Sequence, residues 1–414
     1  MTEFTTQAGA ARRAALALST ASRATKDAAL AAMAAALTAG QDAILAANAT
    51  DVARAEAAGV GAALIDRLRL TPDRVAAMAT GLTDLAVLAD PVGEVVRGWQ
   101  LPNGVHVDQV RTPLGVIGII YEARPNVTAD AAGICLKAGN AVLLRGSSSA
   151  LASNRAIVTA LRAGLTAAGL DPAAVSLVEG DRSVTGEMMA ARGLIDVLIP
   201  RGGADLIDTV VRGSQVPVIE TGTGNCHLFV DASADPDMAL AIMLNAKTQR
   251  PSVCNALETL VVHAGIAASF IPQAVDALAA AGVTAQGSRA AQGFDARIAP
   301  APDDGWDAEF LSLDIRIAVA DGLDEAIAFI RTHSSGHSET IVTADLANAQ
   351  RFVAAVDAAC VLVNASSRFV DGGQFGFGAE IGTSTQKLHA RGPMALPEMT
   401  TTKYVITGSG QVRA

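Results

Sequence analysis

The alternation of short apolar runs with helical segments constrains the fold of this chain most strongly. Each run is a candidate β-strand, and the intervals between runs are long enough for crossover helices. A first series comprises residues 116–121, 141–145, 175–178, 195–199 and 216–219. A second begins at residue 227 and includes 259–262, 315–319, 341–343 and 361–363. This spacing predicts two doubly wound α/β domains with a cleft between them.

The stretch before residue 90 has a helical pattern instead. Ala, Leu and Met recur at helical spacing, and Gly40, Gly59 and Gly81 are expected to separate successive helices. Thr71 followed by Pro72 predicts a helix start, because a capping hydroxyl followed by proline suits the first helical turn.

In residues 92–112 the apolar residues alternate with polar ones instead. Asn103 and Gly104 separate two alternating segments, which predicts a β-hairpin, and residues 404–406 form a short final strand. The hairpin has exposed edges, and one way to cover an edge is to pair it with another subunit. We therefore expect a homo-oligomer, either a dimer or a tetramer.

Composition excludes several classes of partner. The 414 residues are half hydrophobic, enough for large cores, and the formal net charge of −10 argues against nucleic acid. Residues 28–39 are too short and too weakly apolar to span a membrane, and residues 1–10 lack a secretory signal pattern. The four cysteines are widely spaced. We expect a cytoplasmic protein with no membrane partner and no metal site.

The usual dinucleotide fingerprint, Gly-x-Gly-x-x-Gly between a strand and a helix, is missing from this sequence. Two other segments follow predicted strands where a helix N-terminus can meet phosphate: RGSSS at 145–149 and PRGG at 200–203. Taken alone, both can equally be tight turns capped by serine and glycine.

Cys254 lies in a turn-like segment before the strand that starts near Thr259. A single cysteine is commonly a small buried hydrophobe. Alternatively, its thiolate attacks an acyl or carbonyl carbon, and the oxyanion that forms needs hydrogen-bond donors. Asn126 directly follows the first strand of the sheet, where its side-chain amide can be such a donor.

Longer motifs add a family resemblance. With ETGTGNCH at 220–227 and RPSVCNALET at 250–259, the chain resembles the aldehyde dehydrogenase superfamily. More narrowly it resembles the γ-glutamyl phosphate reductase family, through YEARPNVT at 121–128, LRGSSS at 144–149, SGHSE at 335–339 and GAEIGTSTQKLHARGP at 378–393. The resemblance covers nearly the whole chain.

This resemblance implies an aldehyde-dehydrogenase-like fold with three parts. Residues 1–96 and 113–226 would form a cofactor-binding domain, and residues 227–390 a catalytic domain. Residues 97–112 and 399–414 would be the oligomerisation elements, the first of them the β-hairpin.

The resemblance also implies roles for single residues. Cys254 would be the nucleophile, and Asn126 with the Cys254 backbone N–H would form the oxyanion hole. The cofactor would contact Arg145, Ser147, Gly202, Gly203, Glu220 and Glu309. The substrate would contact Arg124, Arg250, Ser366, Ser367 and Arg368. Arg145 stands where the superfamily usually has lysine, which favours NADPH over NADH, because a guanidinium group suits a ribose phosphate.

The implied activity is NADPH-dependent reduction of L-glutamate 5-phosphate to L-glutamate 5-semialdehyde through a Cys254 thioester, in proline biosynthesis. Transient contact with glutamate 5-kinase would accompany it. Thr221 and the extra Gly224 depart from the superfamily's usual Glu-Leu-Gly-Gly, which argues against hydrolysis of the thioester. Two alternatives stay open: an aldehyde dehydrogenase that oxidises another small aldehyde, and a non-catalytic scaffold.

Overall fold

The computed structural model describes residues 2–302 and 305–413. The chain divides into two compact units. Unit 1 runs to Glu220 and includes Gly376–Gly382 and the chain from Met394 onward, whereas unit 2 comprises Thr221–Phe375 and Thr383–Pro393.

The helices within the described residues are, in chain order, α1 Glu3–Leu18, α2 Arg23–Ala39, α3 Gln41–Ala57, α4 Ala62–Leu68, α5 Pro72–Val87, α6 Asn126–Lys137, α7 Leu151–Ala167, α8 Ser183–Ala190, α9 Ala204–Gly213, α10 Pro236–Thr248, α11 Ala264–Ala280, α12 Arg289–Gln292, α13 Leu323–His333 and α14 Leu346–Ala355. Of these, α1 to α9 belong to unit 1 and α10 to α14 to unit 2. No single described helix is long and apolar enough to cross a membrane; the bent pair of α2 and α3 meets that test by length and composition alone.

The strands within the described residues are β1 Val95–Gln100, β2 His106–Pro113, β3 Val116–Tyr121, β4 Ala141–Gly146, β5 Val175–Leu177, β6 Val197–Arg201, β7 Cys226–Val230, β8 Leu257–His263, β9 Thr284–Gly287, β10 Ala299–Pro300, β11 Asp314–Ala320, β12 Ser338–Val342, β13 Cys360–Val363, β14 Gly382–Ser384, β15 Gly392–Met394 and β16 Thr400–Thr407.

The helical start of unit 1 follows the sequence pattern with one exception. Pro72 opens α5, and the Thr71 side chain accepts a hydrogen bond from the Arg74 N–H at 3.2 Å, which confirms the predicted helix start. Gly40 and Gly59 follow α2 and α3 as expected. The predicted break at Gly81 is wrong. Gly81 lies inside α5, because the buried apolar positions continue at helical spacing on both sides of it.

The predicted hairpin is confirmed. Strands β1 and β2 pair antiparallel, and Gly104 between them has a positive φ of 86°. The final strand is longer than the three residues predicted, because the whole of β16 pairs antiparallel with the other edge of β2. The result is a three-stranded sheet in unit 1 with the order β1-β2-β16.

A second sheet of unit 1 is parallel, with the order β5-β4-β3-β6. From β3 the chain moves outward through β4 and β5, and then returns to the other side of β3 with β6. The carboxyl ends of β3 and β6 therefore flank a topological switch point.

The predicted strand at 216–219 is wrong: among the described residues it forms only the isolated bridge from Val218 to Leu198. Pro217 has no N–H to donate to a ladder.

Unit 2 carries a seven-stranded parallel sheet with the order β10-β9-β11-β8-β7-β12-β13. All the strands predicted for this half of the chain are present. Strands β9 and β10 are additional, and at four and two residues they are too short for a periodic signal. Helix α11 packs on this sheet through buried Phe270 and Ile271. The two parallel sheets confirm the doubly wound α/β class.

Candidate active site

Cys254 lies in unit 2, in the turn between α10 and β8, and its side chain is partly exposed. The backbone of Gly224 approaches this turn very closely. A Cβ atom on Gly224 would lie 1.5 Å from the carbonyl oxygen of Cys254 and 2.3 Å from its carbonyl carbon. Buried Cys226 donates a hydrogen bond from its Sγ to the same oxygen at 3.2 Å. The conformation at Cys254 thus depends on a glycine at position 224.

The expected substrate loop is attached to the residue that follows Cys254. Ser367 donates a hydrogen bond from Oγ to the carbonyl oxygen of Asn255 at 2.6 Å. In return, Asn255 Nδ2 donates to the carbonyl oxygen of Val370 at 2.8 Å. Ser366 is buried beside them, and its Oγ accepts from the Arg368 N–H at 3.2 Å. These bonds fix the loop relative to the Cys254 turn.

Two arginines, Arg250 and Arg368, influence the electrostatics around this loop. Partial burial lowers the pKa of Arg368, and the positive charge of Arg250 lowers it further, whereas Asp371 and Cys254 oppose the shift. Arg368 Nε also donates to Gln249 Oε1 at 2.8 Å. Nearby cations favour the thiolate form of a cysteine and attract an anionic substrate. The site therefore suits a nucleophilic thiol acting on an anion.

Glu309 is a further acid of unit 2 near Cys254. Its Oε1 accepts a hydrogen bond from the Gly224 N–H at 2.9 Å. Gly224 therefore contacts both the Cys254 backbone and this carboxylate. A carboxylate has capacity for further hydrogen bonds, such as those of a ribose diol.

Asn126, in unit 1, is the first residue of α6. Its Nδ2 donates to Asp130 Oδ2 at 3.0 Å, one helical turn away. Burial raises the pKa of Asp130 to about 6, and both this hydrogen bond and Arg201 act against the rise. An amide nitrogen has two N–H groups, so Asp130 orients the Asn126 side chain and leaves one donor for another acceptor. Arg124 precedes Asn126 by two positions, in the segment between β3 and α6.

The switch point of unit 1 has the features of a phosphate site. Gly202 and Gly203 follow β6, and Gly203 is the N-cap residue of α9. Glu122 follows β3, and its Oε1 accepts from the Gly203 N–H at 3.1 Å. A Cβ on Gly202 would lie 2.8 Å from the Glu122 carboxyl carbon. The missing side chain at Gly202 leaves room for the Glu122 carboxyl group at this helix N-terminus, which is the position where nucleotide phosphates bind in doubly wound sheets.

The side chains of the segment after β4 have several hydrogen-bond partners within the protein. The Arg145 guanidinium donates to the carbonyl oxygens of Val178, Gly180 and Asp181, at 3.1, 2.8 and 2.8 Å. These bonds use three of the five N–H groups of Arg145. Ser147 Oγ accepts from the Ser149 N–H at 3.3 Å and so stabilises the turn before α7.

The N-terminus of α7 already has an acid partner. Asp51 Oδ2 accepts from the Ser153 N–H at 2.8 Å and from the Ser153 hydroxyl at 2.7 Å. A carboxylate in this position interacts favourably with the helix dipole, as a phosphate would. Both of the phosphate-binding segments considered from the sequence thus have a carboxylate at the helix N-terminus, Glu122 before α9 and Asp51 before α7.

Known proteins show what this chain is similar to. The model of the aldehyde dehydrogenase family matches residues 2–293. The γ-glutamyl phosphate reductase of Cutibacterium acnes is 61% identical over 407 residues, which are 98% of each chain. That of Thermobifida fusca is 58% identical over 404 residues, 97% of each chain. The chain belongs to the γ-glutamyl phosphate reductase family. The solved γ-glutamyl phosphate reductase of Thermotoga maritima, 46% identical, superposes with a TM-score of 0.98 over 100% of each chain.

Family membership confirms the resemblance found in the sequence. The protein is an oxidoreductase of aldehyde dehydrogenase type, and that family uses a nicotinamide cofactor. The relatives' names do not assign individual residues, so the roles of the site residues stay predictions.

The predicted site residues fall into two groups, one in each unit. Unit 2 brings together Cys254, Arg250, Ser366, Ser367, Arg368 and Glu309. Unit 1 holds Asn126, Arg124, Gly202, Gly203, Arg145 and Ser147, together with Glu220 as its last residue before unit 2.

Sequence reasoning missed several residues that shape these groups. Asp130 could have been found, because it lies four positions after Asn126 in a predicted helical segment. No local pattern in the sequence predicts the contacts of Glu122 and Asp51, because their hydrogen-bond partners are 81 and 102 positions away.

Proposed function

We propose that this protein reduces L-glutamate 5-phosphate to L-glutamate 5-semialdehyde in proline biosynthesis, with release of phosphate. The observation that supports this most directly is the placement of Arg368 within electrostatic range of both the Cys254 thiol and Arg250. The substrate carries a carboxylate and a phosphate, and guanidinium groups bind both. The high identity to proteins named γ-glutamyl phosphate reductase supports the same substrate.

In the first chemical step, the Cys254 thiolate attacks the acyl carbon of the substrate. The bond from that carbon to the phosphate oxygen breaks, a γ-glutamyl thioester forms, and inorganic phosphate leaves beside Arg124 or Arg250. The Asn126 side-chain amide and the Cys254 backbone N–H stabilise the oxyanion. Arg368, with Ser366 and Ser367 supporting its loop, binds the substrate's α-carboxylate.

The cofactor in this proposal is NADPH, which when bound supplies the hydride for reduction of the thioester. Gly202 and Gly203 would meet its diphosphate at the N-terminus of α9. Ser147 and the remaining donors of Arg145 would bind the adenosine ribose phosphate, and Glu309 with Glu220 would bind near the nicotinamide. Cofactor binding is thus assigned mainly to residues 1–96 and 113–226, and catalysis to residues 227–390.

The reverse reaction tests this function. The enzyme is given L-glutamate 5-semialdehyde and NADP⁺ with and without inorganic phosphate, and NADPH formation is followed. We expect turnover to require phosphate, because phosphate must release the acyl group from Cys254. We also expect NAD⁺ to be the poorer cofactor. Phosphate-independent oxidation would instead identify an aldehyde dehydrogenase that forms an acid.

In the same assay, Arg368→Ala is expected to raise the KM for the aldehyde substrate about 10- to 100-fold, the loss of one charge-assisted contact. Arg351→Ala removes an exposed arginine that pairs with Asp324, and should leave the KM unchanged. An unchanged KM in Arg368→Ala would contradict the assignment of the α-carboxylate to Arg368.

We also propose that the sheet β1-β2-β16 forms the contact between subunits of a homo-oligomer. It exposes apolar side chains, among them Trp99, Tyr404 and Ile406, the last with 67% of its surface accessible. Light scattering should give a dimer or tetramer of the 42.0 kDa chain, and Ile406→Lys should reduce the measured mass. A monomeric wild type would contradict this proposal. Contact with glutamate 5-kinase stays a prediction.

A further inference from the structure

A fully buried ion pair lies in unit 2, between α10 and β8. Lys247 Nζ is 2.8 Å from Glu258 Oε2, and neither side chain is accessible to solvent. Removing two charges from water is costly, and a buried ion pair can often be replaced by apolar residues without loss of stability. Folding alone is therefore a weak reason for an ion pair at this position.

Each residue of the pair affects the pKa of the other. Burial raises the pKa of Glu258 to about 7; Lys247 acts against this rise and Glu309 adds to it. Burial also lowers the pKa of Lys247, against the effects of Glu258 and Asp314. Removing either partner would leave the other buried without the opposite charge that lies closest to it.

The pair contacts one short segment, residues 309–311. Glu258 Oε1 accepts from the Leu311 N–H at 3.4 Å, and Lys247 Nζ lies 5.7 Å from the centroid of the Phe310 ring. Buried Arg316, on β11, places its guanidinium carbon 4.5 Å from the same ring. Both cations are within the range of cation–π attraction.

The backbone of this segment needs such support. Leu311 has a φ of 55°, in the left-handed region that a leucine adopts only at a cost in free energy. Surrounding contacts must therefore offset the free-energy cost of this backbone conformation. Glu258 provides one of them, through the Leu311 N–H.

The segment begins with Glu309, whose Oε1 accepts from Gly224, the residue packed against the Cys254 backbone. A shift of residues 310 and 311 would therefore move the Glu309 carboxylate relative to Cys254. We propose that Lys247 and Glu258 are positioning residues that hold Glu309 in place to bind the nicotinamide ribose. This inference rests on the cofactor role of Glu309 in the proposed function.

The test separates stability from cofactor binding. The variants are Lys247→Met, Glu258→Leu and the double variant, and the readouts are the urea midpoint of unfolding and the Kd for NADPH by fluorescence titration. Each single variant should lower the midpoint, because it leaves one buried charge unpaired. The double variant should regain most of it, yet bind NADPH about tenfold more weakly, through loss of support at Leu311 and Phe310.

A second buried pair provides the control. Lys26 and Asp90 in unit 1 are 2.6 Å apart, with exposures of 0% and 11%, and do not involve residues 309–311. The double variant Lys26→Met, Asp90→Leu should leave the Kd for NADPH unchanged. If this control weakens binding equally, or if the Lys247 and Glu258 double variant binds NADPH like the wild type, the proposal is overturned.

Two further variants complete the design. If the double variant fails to fold, Phe310→Leu removes the ring that both cations contact while the ion pair stays. A raised Kd supports the proposal, and an unchanged Kd overturns it. Glu309→Gln tests the underlying cofactor role. If it leaves the Kd unchanged, that role is wrong; if it raises the Kd while the double variant does not, only the positioning role is wrong.

Discussion

Replacing Cys254 by serine should reduce phosphate-dependent turnover by about 10³-fold or more, with the fold intact. Serine is similar in size, but its hydroxyl is a far weaker nucleophile near neutral pH than a thiolate, and loss of a nucleophile ranks among the largest single-residue effects on an enzyme. The initial rate of the reverse reaction at saturating phosphate gives the activity, and circular dichroism with the urea midpoint reports folding.

The matched control is Cys360→Ser, the same substitution at the other partly exposed cysteine of unit 2. Its turnover should stay within about twofold of the wild type, as expected for a change outside the site. If Cys254→Ser retained more than a tenth of wild-type turnover, Cys254 could not be the nucleophile. A different group would then have to be the nucleophile.

Gly224→Ala should abolish most activity and lower the free energy of unfolding by about 1–3 kcal/mol or more. The added methyl group would lie 1.5 Å from the carbonyl oxygen of Cys254 and 2.7 Å from its Cα. Both neighbours are backbone atoms, so a change of rotamer cannot relieve the overlap, and the turn that presents the thiol must move. Turnover and urea unfolding of the purified variant test this expectation.

Gly186→Ala serves as the control for Gly224→Ala. Gly186 lies within α8 and has open space around the position of a Cβ. The substitution should be neutral or stabilise the protein by about 0.4–1 kcal/mol, because alanine restricts the unfolded chain. Wild-type turnover in Gly224→Ala would show that the Cys254 turn tolerates displacement, and the structural argument for this glycine would fail.

Much of the fold was readable from local patterns. The run at 116–121 coincides with β3 residue for residue, and Thr71 with Pro72 marks the start of α5. Periodicity and capping involve neighbours in the sequence, which is why they can be read there. The errors at Gly81 and at 216–219 arose where packing or a missing N–H outweighed the local signal.

The candidate site could be predicted in part. Family motifs pointed to Cys254, Asn126 and the arginines, but the same motifs presented Gly224 only as a departure from the superfamily pattern. Arg145 was expected to bind a ribose phosphate, and its bonds to three carbonyl groups became visible only in the folded chain.

By itself, the sequence determined the doubly wound α/β class, the order of its elements and the residues capable of the chemistry, because apolar periodicity and motif identity are local properties. The tertiary structure alone decided which groups touch. Gly224 meets the backbone of Cys254 from 30 positions away, and Ser367 binds Asn255 from 112. Lys247 and Glu258 pair across a helix and a strand. Such contacts depend on how separate elements pack against one another, and local sequence patterns do not predict which distant residues will meet.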